Sequence, residues 1–190
     1  LIMLNVLGQL RSVGSDPLSV ERLHLEVEAA KLAYAERDRH IADPDHAPVP
    51  VDGLLSQQHA RKLAAMIDPD RAMNGKRINQ LPPHPDTVYL TVVDRDRNAV
   101  SFINSIYYGF GSARATARSG SLLQNRGACF SLDPRHPNCI GPGKRSMHTI
   151  IPAMVTGEGR AVLSFGVMGG DYQPMGQVHA LTNMVDFGMD

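Results

Sequence analysis

The 190-residue chain balances 19 lysine and arginine residues against 19 aspartate and glutamate residues, and 43% of it is apolar. That composition suits a globular protein with a sizeable core and speaks against disorder. No stretch concentrates one sign of charge, which argues against a nucleic-acid partner, and no apolar run approaches the roughly 20 residues that cross a bilayer, so no membrane partner is expected.

The chain begins at Leu1-Ile2-Met3-Leu4-Asn5-Val6-Leu7, inside an apolar helix-like pattern that lacks the basic flank and cleavage site of a leader. It ends as abruptly at Asp186-Phe187-Gly188-Met189-Asp190, and the whole reads as a piece of a longer protein whose compartment, cytoplasm or periplasm, stays open. Residues 1–80 read as helical. Ser19 is placed to cap a segment in which Val20, Leu23, Val27, Ala30 and Tyr34 recur at helical spacing, with Glu21, Arg22, Glu26, Glu28 and Lys31 mostly off that stripe. Asp43-Pro44 stops it. Ser56 can cap a second helix running to about Ile67, which Asp68-Pro69 ends. In Asn79-Gln80-Leu81-Pro82-Pro83-His84-Pro85-Asp86 three prolines within four residues exclude helix and central strand. This is an exposed, extended connector of the kind in which chains are cut.

The period then changes. Residues 87–94 are rich in Thr, Val and Tyr, and after the polar turn Arg95-Asp96-Arg97-Asn98 a strand resumes over 99–107, making a hairpin. A second hairpin is expected from 149–156 and 160–165 around Gly157-Glu158-Gly159, followed by Gly169-Gly170 and a helix over 177–187. Helices, then paired antiparallel strands, then a helix predict an α+β layered fold.

Several motifs fail. Gly141-Pro142-Gly143-Lys144-Arg145-Ser146 has Asn138 and Arg145 where a phosphate loop needs Gly and Ser or Thr. Cys129, His136, Cys139 and His148 match no common zinc-ligand spacing, so no metal is expected. The two cysteines read as ordinary buried thiols, with a pairing between them as the alternative. Gly166-Val167-Met168-Gly169-Gly170 falls short of a dinucleotide fingerprint, so no cofactor is expected. There is no Gly-x-Ser-x-Gly elbow either.

What remains is a set of ordered blocks: Asp86-Thr87-Val88-Tyr89-Leu90-Thr91-Val92-Val93-Asp94, Asn98-Ala99-Val100-Ser101, Phe110-Gly111-Ser112, Leu122-Leu123-Gln124-Asn125-Arg126-Gly127, Gly143-Lys144-Arg145, Pro152-Ala153-Met154-Val155 and Gly166-Val167-Met168-Gly169-Gly170. With Glu28-Ala29-Ala30-Lys31-Leu32-Ala33 and Ala42-Asp43-Pro44-Asp45 in the first half, these resemble the gamma-glutamyltranspeptidase family over nearly the whole chain. The resemblance implies the αββα sandwich of the N-terminal-nucleophile hydrolases. It also implies a precursor cut at Asp86-Thr87, so that residues 1–86 belong to a large-subunit-like helical region and 87–190 to the start of a small catalytic subunit. The expected partners are these two subunits pairing with each other, with a dimer of such pairs left open, and a small-molecule gamma-glutamyl or related acyl amide as substrate.

By the same resemblance Thr87 is the nucleophile, Gly169 and Gly170 give N–H groups to the oxyanion, and Ser105 is a hydroxyl near the nucleophile that assists self-cleavage. Substrate binding falls to Asn125, Arg126, Tyr107, His148 and Thr149. The physical case for Thr87 stands beside this. A threonine hydroxyl is a weak nucleophile until a base removes its proton, and at a chain start the residue's own α-amino group, of pKa about 7.7–8, lies beside it. The pocket departs from the best-known transpeptidases. Cys129 stands where an acidic residue holds the substrate's α-amino group, His148-Thr149 where paired serines hold its α-carboxylate, and Tyr107 where an Asn lines the pocket. The family's substrate-carboxylate arginine lies upstream of Leu1. Arg97 replaces a turn glycine, and 112–119 replace an apolar loop. The pattern is closer to the transpeptidase-like branch that includes cephalosporin acylases. The rival reading is a catalytically inactive fragment or degenerate homologue acting as a binding or structural module.

Overall fold

The computed structural model describes residues 1–10, 16–74 and 85–190. They form two compact units that interleave along the sequence: one from the described parts of Leu1–Arg77, Phe130–Met147 and Val178–Asp190, the other from those of Ile78–Cys129 and His148–Gln177. Most of the predicted connector, residues 79–84, lies outside the described residues.

The first unit is helical: α1 (Ile2–Leu7), α2 (Val20–His40), α3 (Val51–Leu54), α4 (Gln57–Ala64) and the later part of α5 (Gln173–Phe187). Both predicted caps are in place. Ser19 Oγ accepts from Arg22 N and Ser56 Oγ from His59 N, satisfying donors that a first turn leaves open. Met3, Val6, Leu25, Ala29, Leu32, Ala60 and Leu63 make the core.

The buried side of α2 is not the predicted stripe. Val20 is 78% exposed, and Leu23 and Val27 are exposed as well, whereas Glu26 and Glu28 are fully buried. The reason is pairing. Glu26 meets Arg22 Nη2 at 3.0 Å and His179 Nδ1 at 2.7 Å and accepts from Thr182 Oγ1 at 3.2 Å. Glu28 accepts from Lys31 Nζ at 2.5 Å and Met73 N at 2.9 Å. A buried carboxylate that is both paired and hydrogen-bonded escapes most of the cost of leaving water, so the small Ala29 and Ala30 share the inner face with charges. Just beyond α2, Asp43 accepts from Arg145 N at 2.8 Å and meets the same guanidinium through Nη2 at 2.7 Å, which ties the 144–147 segment to the helical unit. The Arg145 guanidinium holds the Asp43 carboxyl well below the usual carboxylate range.

The second unit carries two antiparallel hairpins, β1 (Pro85–Val93) with β2 (Ala99–Tyr108), and β3 (Ala153–Gly157) with β4 (Arg160–Phe165). Pro85 opens β1, a strand position that tolerates a missing N–H. Arg97 takes φ 65° in the turn between β1 and β2, the left-handed conformation that explains why glycine suits that position. The second hairpin is shorter than predicted, because 149–152 is not strand. The backbone of Ile151 is claimed by side chains instead: its N–H donates to Gln173 Oε1 at 3.1 Å and its carbonyl accepts from Gln177 Nε2, both on α5.

The first hairpin has two unlike faces. Val88, Leu90 and Val92 on β1 pair with Asn104, Phe102 and Val100 on β2, and the apolar members of this face are all exposed. Thr87, Tyr89 and Thr91 pair with Ser105, Ile103 and Ser101 on the opposite face, and there Ile103 is buried. That hydroxyl-rich face meets β4. Tyr89 Oη lies 3.2 Å from Ser101 Oγ and 3.3 Å from Ser164 Oγ, Thr91 Oγ1 donates to Ser164 Oγ at 2.7 Å, and Ser101 Oγ donates to the Phe165 carbonyl at 3.2 Å.

Candidate active site

Thr87 lies near the start of β1, on the hydroxyl face, half-buried. Its Oγ1 donates to Ser105 Oγ, directly across the ladder, at 3.1 Å. Ser105 Oγ also accepts from Tyr107 N at 3.0 Å. Ser105 Oγ thus accepts from both the Thr87 hydroxyl and the Tyr107 amide.

The ladder slips one register between Asp86 and Thr87, so that Asp86 pairs with Tyr107 while Thr87 pairs with Ser105, leaving Ile106 as the extra residue of a bulge. Tyr107 takes φ 81°, a conformation uncommon for a bulky side chain. Bulges re-aim side chains at such places. The loop before Arg126 pins this one: Asn125 N donates to the Ile106 carbonyl at 3.2 Å, and Asn125 Oδ1 accepts from Tyr108 N at 3.1 Å.

Asn125 thereby delivers Arg126, the first residue of a 3-10 turn Arg126–Cys129. The guanidinium lies 5.1 Å over the Tyr107 ring and donates through Nη1 to Thr149 Oγ1 at 2.6 Å. Burial lowers the pKa of Arg126. Burial also raises that of the Tyr107 hydroxyl, helped by its hydrogen bond to Cys129. Desolvation where the ring meets the protein, then the Arg126 charge, lower that of His148. The cysteines are half-buried rather than fully buried, and neither is in a disulfide.

Gly169 and Gly170 follow β4 and open the 3-10 turn Gly170–Tyr172 that leads into α5. Their φ angles, 136° and 56°, are those glycine alone adopts without strain. A Cβ on Gly169 would also lie 3.3 Å from Tyr172 Cβ. The structure thus brings Thr87, Ser105, Tyr107, Asn125, Arg126, His148 and Thr149 into bonded or neighbouring positions, with the paired glycines in the same unit. Sequence reading missed Tyr89, Ser101, Ser164 and Gly166, which seat β4 on the hairpin. The available signal was the period-two run of hydroxyls at 87, 89 and 91 on a strand whose other face is apolar.

A family model described as gamma-glutamyltranspeptidase matches residues 1–190. The chain belongs to the gamma-glutamyltranspeptidase family. Among curated relatives, it is 41% identical over 189 residues to the glutathione hydrolase-like YwrD proenzyme of Bacillus subtilis strain 168, covering 100% of this chain and 35% of that protein. It is 40% identical over 188 residues to the oxamate amidohydrolase proenzyme of Klebsiella pneumoniae, covering 97% and 34%. Among solved structures, cephalosporin acylase from Bacillus halodurans superposes with a TM-score of 0.87 at 38% identity, over 100% of this chain and 34% of that one. The chain spans about a third of the length of these relatives. Its fold is the α+β fold of this gamma-glutamyltranspeptidase and acylase group, part of the αββα sandwich of N-terminal-nucleophile hydrolases.

Proposed function

We propose that the complete gene product is a self-processing amidase or acyltransferase, with Thr87 as its nucleophile, acting on gamma-glutamyl or related acyl amides. The observation that carries this reading is the Thr87 Oγ1–Ser105 Oγ hydrogen bond beside the register shift at Asp86. Family membership supports it, as do relatives named as glutathione hydrolase-like and amidohydrolase proenzymes.

In the self-cleavage step Thr87 Oγ attacks the Asp86 carbonyl carbon and the C–N bond breaks, giving an ester between Asp86 and the Thr87 oxygen. Ser105 holds the attacking hydroxyl in line. Water then hydrolyses the ester, leaving an Asp86 carboxylate, the Thr87 hydroxyl and a free Thr87 amine. In turnover that amine takes the hydroxyl proton as Thr87 Oγ attacks the substrate amide. The N–H groups at Gly169 and Gly170 stabilise the tetrahedral oxyanion, each such donor being typically worth about 3–4 kcal/mol of barrier. The amine leaving group departs protonated, and water or a second amine takes the acyl group from Thr87. Asn125, Arg126, Tyr107, His148 and Thr149 form the acyl pocket. The products of cleavage, a chain ending at Asp86 and one beginning at Thr87, stay together as subunits.

The test is direct. The complete gene product should resolve as two chains on a denaturing gel, with Thr87 as a new N-terminus by mass spectrometry, and Thr87→Ala should stay whole. A wild-type protein that stays whole yet hydrolyses amides would remove Thr87 from the mechanism.

A further inference from the structure

Tyr89, Thr91, Ser101 and Ser164 form a connected set of hydroxyls in the second unit, and each has a single proton to give. Counting protons fixes the direction of every bond. Ser101 gives its proton to the Phe165 carbonyl at 3.2 Å, so across its 3.2 Å contact with Tyr89 Oη it accepts. That uses the one proton of Tyr89. Across the 3.3 Å contact Ser164 therefore donates to Tyr89 Oη, while its own oxygen accepts from Thr91 at 2.7 Å. The bonds run one way, from Thr91 to Ser164 to Tyr89 to Ser101, and end on a backbone carbonyl.

This row of hydroxyls stitches three strands. Thr91 and Tyr89 stand on β1, Ser101 on β2, and Ser164 and Phe165 on β4. Among the described residues no backbone ladder joins β4 to the first hairpin, and side-chain hydrogen bonds stand where a ladder would. Bonds aligned head to tail polarise one another, so the set is stronger than its pairs taken singly. Both ends bear on the candidate site. Tyr89 is two residues from Thr87 on the same face of β1. The Phe165 carbonyl is four residues before Gly169, and residues 166–169 belong to no helix or strand, so the upstream anchor of the paired glycines is where Phe165 is held.

We propose that Tyr89 is a positioning residue whose hydroxyl, midway along this row, sets where Gly169 and Gly170 stand relative to Thr87. The proposal rests on the amidase reading above for its effect on turnover, and on the hydroxyl geometry alone for its effect on the 166–170 backbone. Tyr89 moves no proton in the reaction. Removing its oxygen strips Ser164 of an acceptor and Ser101 of a donor at once, which frees the Phe165 end of the segment.

The experiment uses the complete gene product, as wild type and as Tyr89→Phe, which keeps the ring and loses one oxygen. Steady-state constants are measured on gamma-glutamyl and glutaryl p-nitroanilide. In Tyr89→Phe, kcat should fall by about tenfold or more while KM changes by less than about twofold, the pattern of groups displaced only where the transition state needs them. Amide hydrogen exchange read by mass spectrometry needs no turnover. It should quicken over residues 166–170 and stay as in wild type along β1 and β2. Ser101→Ala should reproduce both effects and Ser101→Thr, which keeps the hydroxyl, should restore both; this pair carries the comparison if Tyr89→Phe fails to fold. In an active protein, a kcat left unmoved, a loss carried by KM, or exchange that rises evenly over the second unit or not at all over 166–170 overturns the proposal. A complete protein that cuts neither anilide sets the amidase reading aside, and the exchange pattern alone then decides the place of Tyr89.

Discussion

The ring of Tyr89 occupies the space that a side chain at Gly166 would fill: a Cβ built at Gly166 would lie 2.5 Å from both Cδ2 and Cε2 of that ring. Tyr89 is two residues from Thr87 on the same strand face, and Gly166 is three residues before Gly169. The contact therefore joins the strand that carries the proposed nucleophile to the segment that carries the proposed oxyanion donors. Gly166→Ala should force the ring or the β4 end to shift, destabilising the protein by about 1–3 kcal/mol, as overpacking does. A thermal melt measures that loss, and a timed gel should show slower self-cleavage in the same variant.

Ser105 is expected to set the rate of self-cleavage. With its Oγ 3.1 Å from Thr87 Oγ1, Ser105→Ala should slow the appearance of the two-chain form by roughly tenfold or more, in line with loss of a well-placed hydrogen bond in a reacting pair. Ser105→Thr, which keeps the hydroxyl, should process at a rate near that of wild type. Equal rates for all three proteins would reduce Ser105 to an ordinary strand residue.

Gly169→Ala should separate binding from chemistry. The left-handed φ and the nearby Tyr172 side chain both resist a methyl group, so the backbone N–H groups would move off the oxyanion. The expected loss in kcat is about 100-fold, the order seen when one such donor is removed, with a small change in KM. Steady-state kinetics on any amide that the wild type cleaves reads both constants.

Asp43 predicts the acid behaviour of the helical unit. Its carboxyl is held below the unfolded value by Arg145. A depressed carboxylate pKa contributes stability that is present above the unfolded pKa of about 3.9 and is lost as pH falls through the folded value. Asp43→Asn should therefore melt earlier than wild type at pH 7, and the difference between the two should shrink as pH falls below about 4. Melts recorded from neutral pH to pH 2 test this, and a constant difference would show that the carboxylate charge is not what the contact uses.

Glu26 should be the least replaceable residue of α2. Removing one partner of a buried ion pair leaves an uncompensated charge, typically costing about 3–5 kcal/mol. In Glu26→Ala the buried Arg22 keeps only its longer contact with Asp186, at 3.5 Å, and His179 loses its carboxylate partner. Denaturant unfolding of the variant gives the value.

The sequence revealed elements better than faces. Ser19 and Ser56 mark helix starts because a cap is a local device, readable from residue type and offset alone. The strands around Arg95-Asp96-Arg97-Asn98 are equally local. The inward side of α2 was hidden because Glu26 is paired with His179, 153 positions away, and no periodicity encodes a partner that distant. The 149–152 segment looked like a strand for the same reason: Gln173 and Gln177 from a later helix take its hydrogen-bonding groups. In the candidate site, Thr87 and the paired glycines came from ordered blocks of resemblance, and Ser105 from a match to a single family hydroxyl. The role of Asn125 in pinning the β2 bulge, and the Tyr89–Gly166 contact, needed coordinates.

The bare apolar side of the first hairpin carries a practical consequence. A ribbon that shows Val88, Leu90, Val92, Val100 and Phe102 to water is adhesive, because contiguous greasy surface seeks cover wherever it finds it. Expressed by itself, the 190-residue segment should clump, and a missing activity in such a preparation would report on stickiness rather than on chemistry. Assays meant to judge Thr87 therefore belong on the longer polypeptide.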